Sequence, residues 1–224
     1  MTNEPIAIDL DRGARVSALW QKPDAAHACL VLAHGAGAGM NHPAMAALAD
    51  GLAARGIAVL RYQFLYMEQG AKRPDPPKLA HAIVRAAVAA AARLAPELAL
   101  FAGGRSFGGR MSSQAHAIAP LPGVRGLVFF GFPLHPANKP SMDRAEHLSG
   151  VRAPMLFLQG ARDALAELDL LQASVAKFGD RATLKLFAHA DHSFHVPARS
   201  GRNDAQVRGE MLDTAADWIS DRAT

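Results

Sequence analysis

The sequence has a single cysteine, no long hydrophobic run and no block of basic residues. Cys29 has no second cysteine to pair with, which excludes a secreted scaffold built on internal disulfides and is compatible with a reducing compartment. No apolar run approaches the roughly 18 residues of a transmembrane helix, and no basic segment followed by an apolar one opens the chain. We therefore expect a soluble, cytoplasmic protein with no membrane partner.

The excess of basic residues is small and scattered. The 24 lysines and arginines exceed the 20 aspartates and glutamates by four, yet none of them form a block that could track a phosphate backbone. We therefore expect no nucleic-acid partner. Half of the 224 residues are hydrophobic, which is enough for a substantial core, and we predict a single domain over residues 1–224. The sequence leaves the oligomeric state open, a homodimer included.

What the sequence does contain is an alternation of apolar runs and helical patterns. Residues 6–10 and 15–20, separated by Asp11-Arg12-Gly13, predict a hairpin. Six further strands are predicted at 28–33, 57–61, 98–102, 126–130, 154–159 and 183–187, each followed by a loop and a helical pattern. We therefore predict an α/β fold with an eight-stranded, mostly parallel sheet and helices on both faces. The alternating pattern of 183–187 predicts a strand near the sheet edge.

One stretch carries the strongest chemical signal. Ser106 stands between Gly104 and Gly108, after an apolar run and before a predicted helix that begins at Phe107. This G-x-S-x-G pattern at a strand-to-helix turn is typical of a nucleophile held on a strained backbone. The pattern also occurs by chance in glycine-rich loops, so its context must decide.

Two further groups complete that context. A serine hydroxyl needs a base, and an imidazole needs a carboxylate to fix its tautomer. Asp163 follows the strand at 154–159 and His192 follows the strand at 183–187, so Ser106, Asp163 and His192 are the candidate catalytic residues. Asp163 could instead only cap a helix near Ala164. The spacing of His189, His192 and His195 could also suggest a metal, but the segment is predicted as a loop, and we expect no metal.

A tetrahedral intermediate needs two donors for its oxyanion. The amide of Phe107 is one candidate, and Ala36, in the loop His34-Gly-Ala-Gly-Ala-Gly39, is the other, with Gly37 as second choice. The same loop could cradle a dinucleotide phosphate. Met40 stands where the third glycine of that motif belongs, and no acid for a ribose ends the next strand, so we expect no cofactor.

The substrate-binding residues are less sharply indicated. Only about 20 residues separate the strands at 126–130 and 154–159, so any lid is short and a small soluble substrate is favoured. We predict that Gly37, Tyr66, Arg105 and His135 contact it. Arg105, Arg110, His135 and Lys139 would favour an anionic acyl group, unless they are only solvated surface groups.

With these residues placed, the chain resembles the α/β-hydrolase superfamily. The motifs that carry the resemblance are His34-Gly-Ala-Gly, Tyr66-Met-Glu68, Gly104-Arg-Ser-Phe-Gly-Gly-Arg-Met111, Phe132-Pro-Leu-His-Pro136 and Asp191-His-Ser-Phe194. It looks most like small bacterial proteins grouped with testis-expressed and NSL-complex-subunit-like relatives, near the dienelactone-hydrolase-like esterases. The resemblance implies a serine hydrolase that cleaves a small ester or thioester through an acyl-enzyme. Dienelactone hydrolases proper use a cysteine where this chain has Ser106. The alternative is a hydrolase fold used as a binding or interaction module with little or no catalysis.

Overall fold

The apolar runs form one open sheet of eight strands. The computed structural model describes residues 3–224, with the side chain of Arg12 left out, so Met1 and Thr2 of the predicted domain lie outside the described residues. In sheet order the strands are β1 (Glu4–Asp9), β2 (Arg15–Gln21), β4 (Ile57–Tyr62), β3 (Ala28–Ala33), β5 (Ala99–Arg105), β6 (Val124–Phe130), β7 (Met155–Gly160) and β8 (Ala182–Phe187).

The first two strands are antiparallel and the remaining strands are parallel. β1 pairs with β2, and β2 with β4, in antiparallel register, whereas the pairs from β4 through β8 are all parallel. This confirms the predicted hairpin and the mostly parallel sheet. β8 lies at the edge, as its alternating sequence predicted, while β3, β4 and β7 are buried along their whole length.

Within residues 3–224, six α-helices cover the two faces of the sheet. They are α1 (Pro43–Ala53), α2 (Leu65–Glu68), α3 (Pro77–Leu94), α4 (Phe107–Ile118), α5 (Leu168–Ala176) and α6 (Asp204–Ser220). α1 and α6 pack with Leu30 and Leu32 in one core, and α3, α4 and α5 pack with Val31 in the other. The predicted apolar face of α1, formed by Met45, Leu48 and Leu52, is buried.

Two connections differ from the prediction. The segment between β6 and β7 forms a 3-10 helix over Asp143–Gly150 where the sequence predicted an ordinary helix, because its eight residues offer only Ala145 and Leu148 for burial. The short helix α2 was not predicted, since four residues are too few for a periodic pattern.

The structure also bears on the single cysteine and on the length of the helices. Cys29 is fully buried in β3, and burial raises the pKa of its thiol to about 12, so the reactive thiolate does not form near neutral pH. Within residues 3–224, no helix combines the length and the apolar character that crossing a membrane requires.

Candidate active site

Ser106 occupies a strained turn between β5 and α4. Its backbone angles, φ 50° and ψ −116°, lie in a sparsely populated region that costs a non-glycine residue roughly 1–3 kcal/mol. The neighbouring glycines allow the turn to press against β3. A Cβ on Gly104 would lie 2.3 Å from the carbonyl oxygen of Ala33, and one on Gly108 would lie 2.5 Å from that of His34. The strained turn therefore packs tightly against the end of β3, near the middle of the sheet.

The turn brings Ser106 to an imidazole and a carboxylate. The Nε2 atom of His192 lies 2.9 Å from the Ser106 hydroxyl, and its Nδ1 atom lies 2.6 Å from Oδ2 of Asp163. The Asp163 carboxylate is fully buried and the His192 side chain is 23% exposed. With the proton on Nδ1, His192 donates to Asp163 and accepts from the serine hydroxyl. The three residues predicted from separate strands thus form one continuous hydrogen-bonded chain.

Gln159, which the sequence analysis missed, also contacts Asp163. Its Nε2 donates to Oδ2 of Asp163 at 2.5 Å, and its Oε1 accepts the amide N–H of Phe132 at 2.8 Å. The second carboxylate oxygen accepts the N–H of Leu165 at 2.8 Å. Asp163 therefore caps a turn while it also bonds His192, whereas the alternative prediction had it cap a helix beginning near Ala164. The helix itself begins only at Leu168.

The loop that carries His192 is tied down on both sides. Asp191 accepts the backbone amides of Ser193 and His195 at 2.7 and 3.0 Å, so its carboxylate folds its own loop and does not reach the His192 ring side by side. The guanidinium of Arg105 donates to the carbonyl of His192 at 3.4 Å. His195 pairs with Asp204 at 2.9 Å. Among residues 3–224 there is no group of three or more histidine, cysteine, aspartate or glutamate side chains that could hold a metal ion.

Two side chains hold the glycine-rich loop after β3 through hydrogen bonds to its backbone carbonyl groups. His34 is fully buried, and its Nε2 accepts the amide N–H of Phe64 at 3.0 Å, which leaves the proton on Nδ1 for the carbonyl of Gly35 at 2.7 Å. Burial lowers the pKa of His34, which keeps the ring neutral for both roles. The Tyr66 hydroxyl donates to the Ala36 carbonyl at 2.8 Å. Ala36 and Gly37 are themselves exposed at this loop.

The loop lies directly beside the serine. A Cβ on Gly35 would make ordinary contact with Cβ of Ser106, at 3.8 Å. The amide of Phe107 is the first of α4, next to the serine. The two elements that carry the predicted oxyanion donors therefore both adjoin the serine, while the donors themselves, and the choice between Ala36 and Gly37, stay predictions.

The predicted substrate-binding residues occupy different environments. Gly37 is exposed, whereas Tyr66 is buried and donates its hydroxyl to the Ala36 carbonyl, with burial raising the pKa of Tyr66 to about 12. His135 is buried and uses both ring nitrogens, one accepting the Glu167 amide at 2.9 Å and one donating to the Pro136 carbonyl at 2.9 Å. Arg105 is directed at the His192 loop. Of these four residues, Tyr66, Arg105 and His135 form hydrogen bonds within the protein through their side chains, and Gly37 is exposed.

An open, mostly parallel α/β sheet that brings a strained serine, a histidine and an aspartate together at its carboxyl edge is the architecture of the α/β hydrolases. The sequence matches the family described as "Alpha/beta hydrolase domain" over residues 26–220, and the chain belongs to that family.

Solved structures support the fold at low sequence identity. A dienelactone hydrolase from Anabaena variabilis is 18% identical, with a TM-score of 0.80 over 100% of this chain and 99% of that one. An α/β serine hydrolase without a lid from Xanthomonas campestris is 20% identical, with a TM-score of 0.74 over 97% and 95% of the two chains. The esterase domain of a Rhodothermus marinus protein is 18% identical, with a TM-score of 0.74 over the whole of both.

Proposed function

We propose that the protein is a serine hydrolase that cleaves a small ester or thioester through an acyl-enzyme. The observation that carries this proposal is the hydrogen-bonded chain from Ser106 through His192 to the buried Asp163, with distances of 2.9 and 2.6 Å. A buried carboxylate beside Nδ1 holds the imidazole in the tautomer whose Nε2 can take a proton. The strained serine then has its base already within hydrogen-bond distance.

The proposed reaction has two halves. His192 takes the hydroxyl proton of Ser106 while Oγ attacks the carbonyl carbon of the substrate. The oxyanion is held by the amides of Phe107 and of Ala36 or Gly37. When the carbon–oxygen or carbon–sulfur bond breaks, the proton on His192 goes to the leaving group. A water molecule, deprotonated by His192, then attacks the acyl-enzyme and returns the free serine.

The short connection between β6 and β7 favours a small substrate, because it leaves no room for a large lid over the serine. Between β6 and β7 the chain has only a loop and the 3-10 helix over Asp143–Gly150, and the Xanthomonas campestris relative is itself described as having no lid. We propose small soluble esters or thioesters as substrates. The proposal includes a cytoplasmic location and membership of the testis-expressed and NSL-subunit-like group, both supported by sequence features alone.

A fluorophosphonate probe tests the proposed nucleophile. We expect one covalent adduct by intact mass in the wild-type chain and in Ser17→Ala, which alters an exposed serine on β2. We expect no adduct in Ser106→Ala. Absence of labelling in the wild type, or an adduct that persists in Ser106→Ala, would refute the mechanism.

Turnover of a panel of 4-nitrophenyl esters tests the other two residues. His192→Gln and Asp163→Asn should each lower kcat by roughly 10³-fold or more, because each interrupts proton transfer while leaving the binding surface in place. A protein that is labelled at Ser106 but turns over no ester or thioester would instead favour the binding-module alternative.

A further inference from the structure

The short helix α2 depends on a side chain from outside it. It has only four residues, Leu65–Glu68, which are too few for a helix that is stable alone. The first amide groups of a helix have no partner inside it, and the residue before the helix often supplies one through its side chain. Here that residue is Phe64, whose side chain makes no capping hydrogen bond. The amides at the start of α2 therefore need an acceptor from another segment.

Asp75 supplies such an acceptor. Its Oδ2 accepts the amide N–H of Tyr66 at 3.2 Å. Asp75 is 9% exposed, and it is the one buried residue of the segment 71–78. Prolines precede and follow it, which restricts the backbone on both sides, and the second proline leads directly into α3. A carboxylate at the start of the long helix α3 thus caps the short helix α2.

The burial of this carboxylate lowers the stability of the protein. Burial raises the pKa of Asp75, and hydrogen bonds from the backbone amides of Tyr66 and Leu65 offset only part of that rise. A raised pKa means that the charged form is less favourable in the folded than in the unfolded chain, so at neutral pH the charge lowers the free energy of unfolding. In the part of the chain that the structure describes, no basic side chain pairs with Asp75. What Asp75 holds in place therefore accounts for it better than stability does.

α2 carries the residue that bonds the glycine-rich loop. The Tyr66 hydroxyl donates to the Ala36 carbonyl at 2.8 Å. Phe64, directly before α2, packs edge-on against the ring of His34, with 4.9 Å between the ring centres, and against the ring of Phe107, with 5.3 Å between the ring centres. The start of α2 thus contacts both elements that carry the candidate oxyanion donors.

We propose that Asp75 is a positioning residue, which holds α2 so that Tyr66 keeps the glycine-rich loop in the geometry that oxyanion binding requires. This inference rests on the proposed function for the oxyanion, whereas the link from Asp75 to the loop rests on the contacts of α2. Asp75 itself contacts no reacting atom in this proposal. Its effect on the reaction passes through the Tyr66 hydroxyl, because backbone donors stabilise an oxyanion only when they are already oriented towards it.

Turnover of 4-nitrophenyl esters measures the positioning role. Asp75→Ala should lower kcat about three- to tenfold, as Tyr66→Phe should, with KM nearly unchanged. Asp75→Asn, whose amide oxygen can still accept the Tyr66 N–H, should keep kcat within about twofold of the wild type. Asp24→Ala, at an exposed aspartate that also follows a proline, should leave kcat unchanged. Equal kcat values in Asp75→Ala and the wild type would overturn the proposal.

A double variant tests whether Asp75 acts through Tyr66. If both residues act on the loop through one chain of contacts, adding Asp75→Ala to Tyr66→Phe should cause no further loss of kcat. Two independent effects would instead multiply, to a loss of roughly 10- to 100-fold. A multiplied loss contradicts the proposal, because it means that Asp75 affects turnover by another route.

The tyrosine signals in a carbon NMR spectrum test the link without any turnover. The chain has two tyrosines, Tyr62 and Tyr66, so ¹³C-labelling of the ring carbon that bears the hydroxyl gives two signals, which Tyr62→Phe and Tyr66→Phe assign. In Asp75→Ala the Tyr66 signal should shift or broaden while the Tyr62 signal stays. In Asp75→Asn and Asp24→Ala both signals should stay. An unchanged Tyr66 signal in Asp75→Ala refutes the positioning role.

These measurements also separate this inference from the proposed hydrolase. A wild type that cleaves no ester refutes the hydrolase, and the Tyr66 signal then still decides whether Asp75 holds α2. If Asp75→Ala does not fold, Asp75→Ser takes its place in each experiment, because its shorter side chain does not reach the Tyr66 amide but leaves a smaller gap.

Discussion

Asp163 accepts three hydrogen bonds on its two oxygens, from the ring of His192, the backbone amide of Leu165 and the side chain of Gln159. Gln159 is fully buried, donates to the same oxygen as His192, and accepts the amide of Phe132. Because its carbonyl oxygen is occupied by Phe132, the amide group cannot turn over without leaving two buried groups unsatisfied. We therefore predict that Gln159 is a positioning residue, which holds the Asp163 carboxylate against His192.

Replacing Gln159 with methionine, which has a similar volume, should lower kcat about tenfold with little change in KM. A misoriented Asp163 weakens the imidazolium in the transition state, and tenfold corresponds to about 1.4 kcal/mol. The free energy of unfolding should also fall by roughly 1–3 kcal/mol, since Phe132 loses its partner. Steady-state kinetics well below the melting temperature checks this. Gln172→Met, at an exposed site on α5, is the control, and an unchanged kcat in folded Gln159→Met would contradict the assignment.

The sequence predicted the three candidate catalytic residues that the fold brings together, but not the residues that bond to them. Ser106, Asp163 and His192 each follow a strand in a recognisable motif, so their meeting could be predicted from chain order. Gln159 stands inside an apolar strand, and its partner Phe132 is 27 residues away. Tyr66 bonds Ala36 across 30 residues. Such contacts depend on side-chain directions in the folded sheet, which periodicity does not contain.

Among the structural elements, the loop over residues 34–40, which carries the candidate oxyanion donors, is held by hydrogen bonds from several sides. His34 and Tyr66 hold the carbonyls of Gly35 and Ala36, and at the far end Gln63 accepts the Met40 amide at 2.8 Å. A carbonyl and the following N–H of a trans peptide point in opposite directions. Holding these carbonyls therefore also fixes the directions of the Ala36 and Gly37 amides before any substrate arrives.

Tyr66→Phe should reduce kcat by about three- to tenfold and leave KM nearly unchanged. The variant frees the Ala36 carbonyl, so the adjacent amides are less well oriented for the oxyanion, an effect smaller than the loss of a donor itself. The other tyrosine supplies the control. The Tyr62 hydroxyl is buried near Ser112 but has no hydrogen-bond partner among residues 3–224, so Tyr62→Phe should retain kcat. Equal kcat values in both variants would exclude a role for Tyr66 in orienting the loop.

Element boundaries were predicted best where apolar character ends sharply. The predicted strand at 28–33 coincides with β3, whereas the strand predicted to end at 102 continues to Arg105. Glycines normally indicate a turn, but Gly103 and Gly104 pair with β3 on one side and β6 on the other. Backbone pairing from both neighbours therefore extends the strand through residues that sequence patterns assign to the loop.

For the molecule as a whole, the strand order poses a geometric problem that the glycine at the end of β7 helps to solve. Ser106 follows β5 and His192 follows β8, three strands away, or about 14 Å at the usual spacing. The His192 loop returns across the ends of β7 and β6. A Cβ on Gly160 would lie 2.4 Å from the carbonyl oxygen of Asp191, and one on Gly131 would lie 3.5 Å from the His192 ring. The exits of these strands leave room for the loop.

Four buried or half-buried histidines link the stability of the whole molecule to pH. Burial lowers the pKa of His34, His81 and His116, and burial together with the charge of Arg110 lowers that of His147 to about 4. Above pH 6.5 these rings are neutral in the folded and the unfolded chain. Below pH 6.5, the unfolded chain binds protons that the folded chain does not. The free energy of unfolding therefore decreases as the pH decreases.

The effect should be largest for His147, whose window runs from about pH 6.5 down to about pH 4. Each pKa unit corresponds to about 1.4 kcal/mol, so we expect this residue to account for a loss of a few kcal/mol across the window. Urea unfolding at pH 7.5, 6 and 5 measures it, and His147→Gln should flatten the dependence. His195 is the matched control: Asp204 raises its pKa, so its contribution is present below pH 6.5 and lost as the pH rises. His195→Gln should therefore lose stability in acid as the wild type does. If His147→Gln loses stability just as steeply as the wild type between pH 7.5 and 5, His147 is not the source of the acid sensitivity.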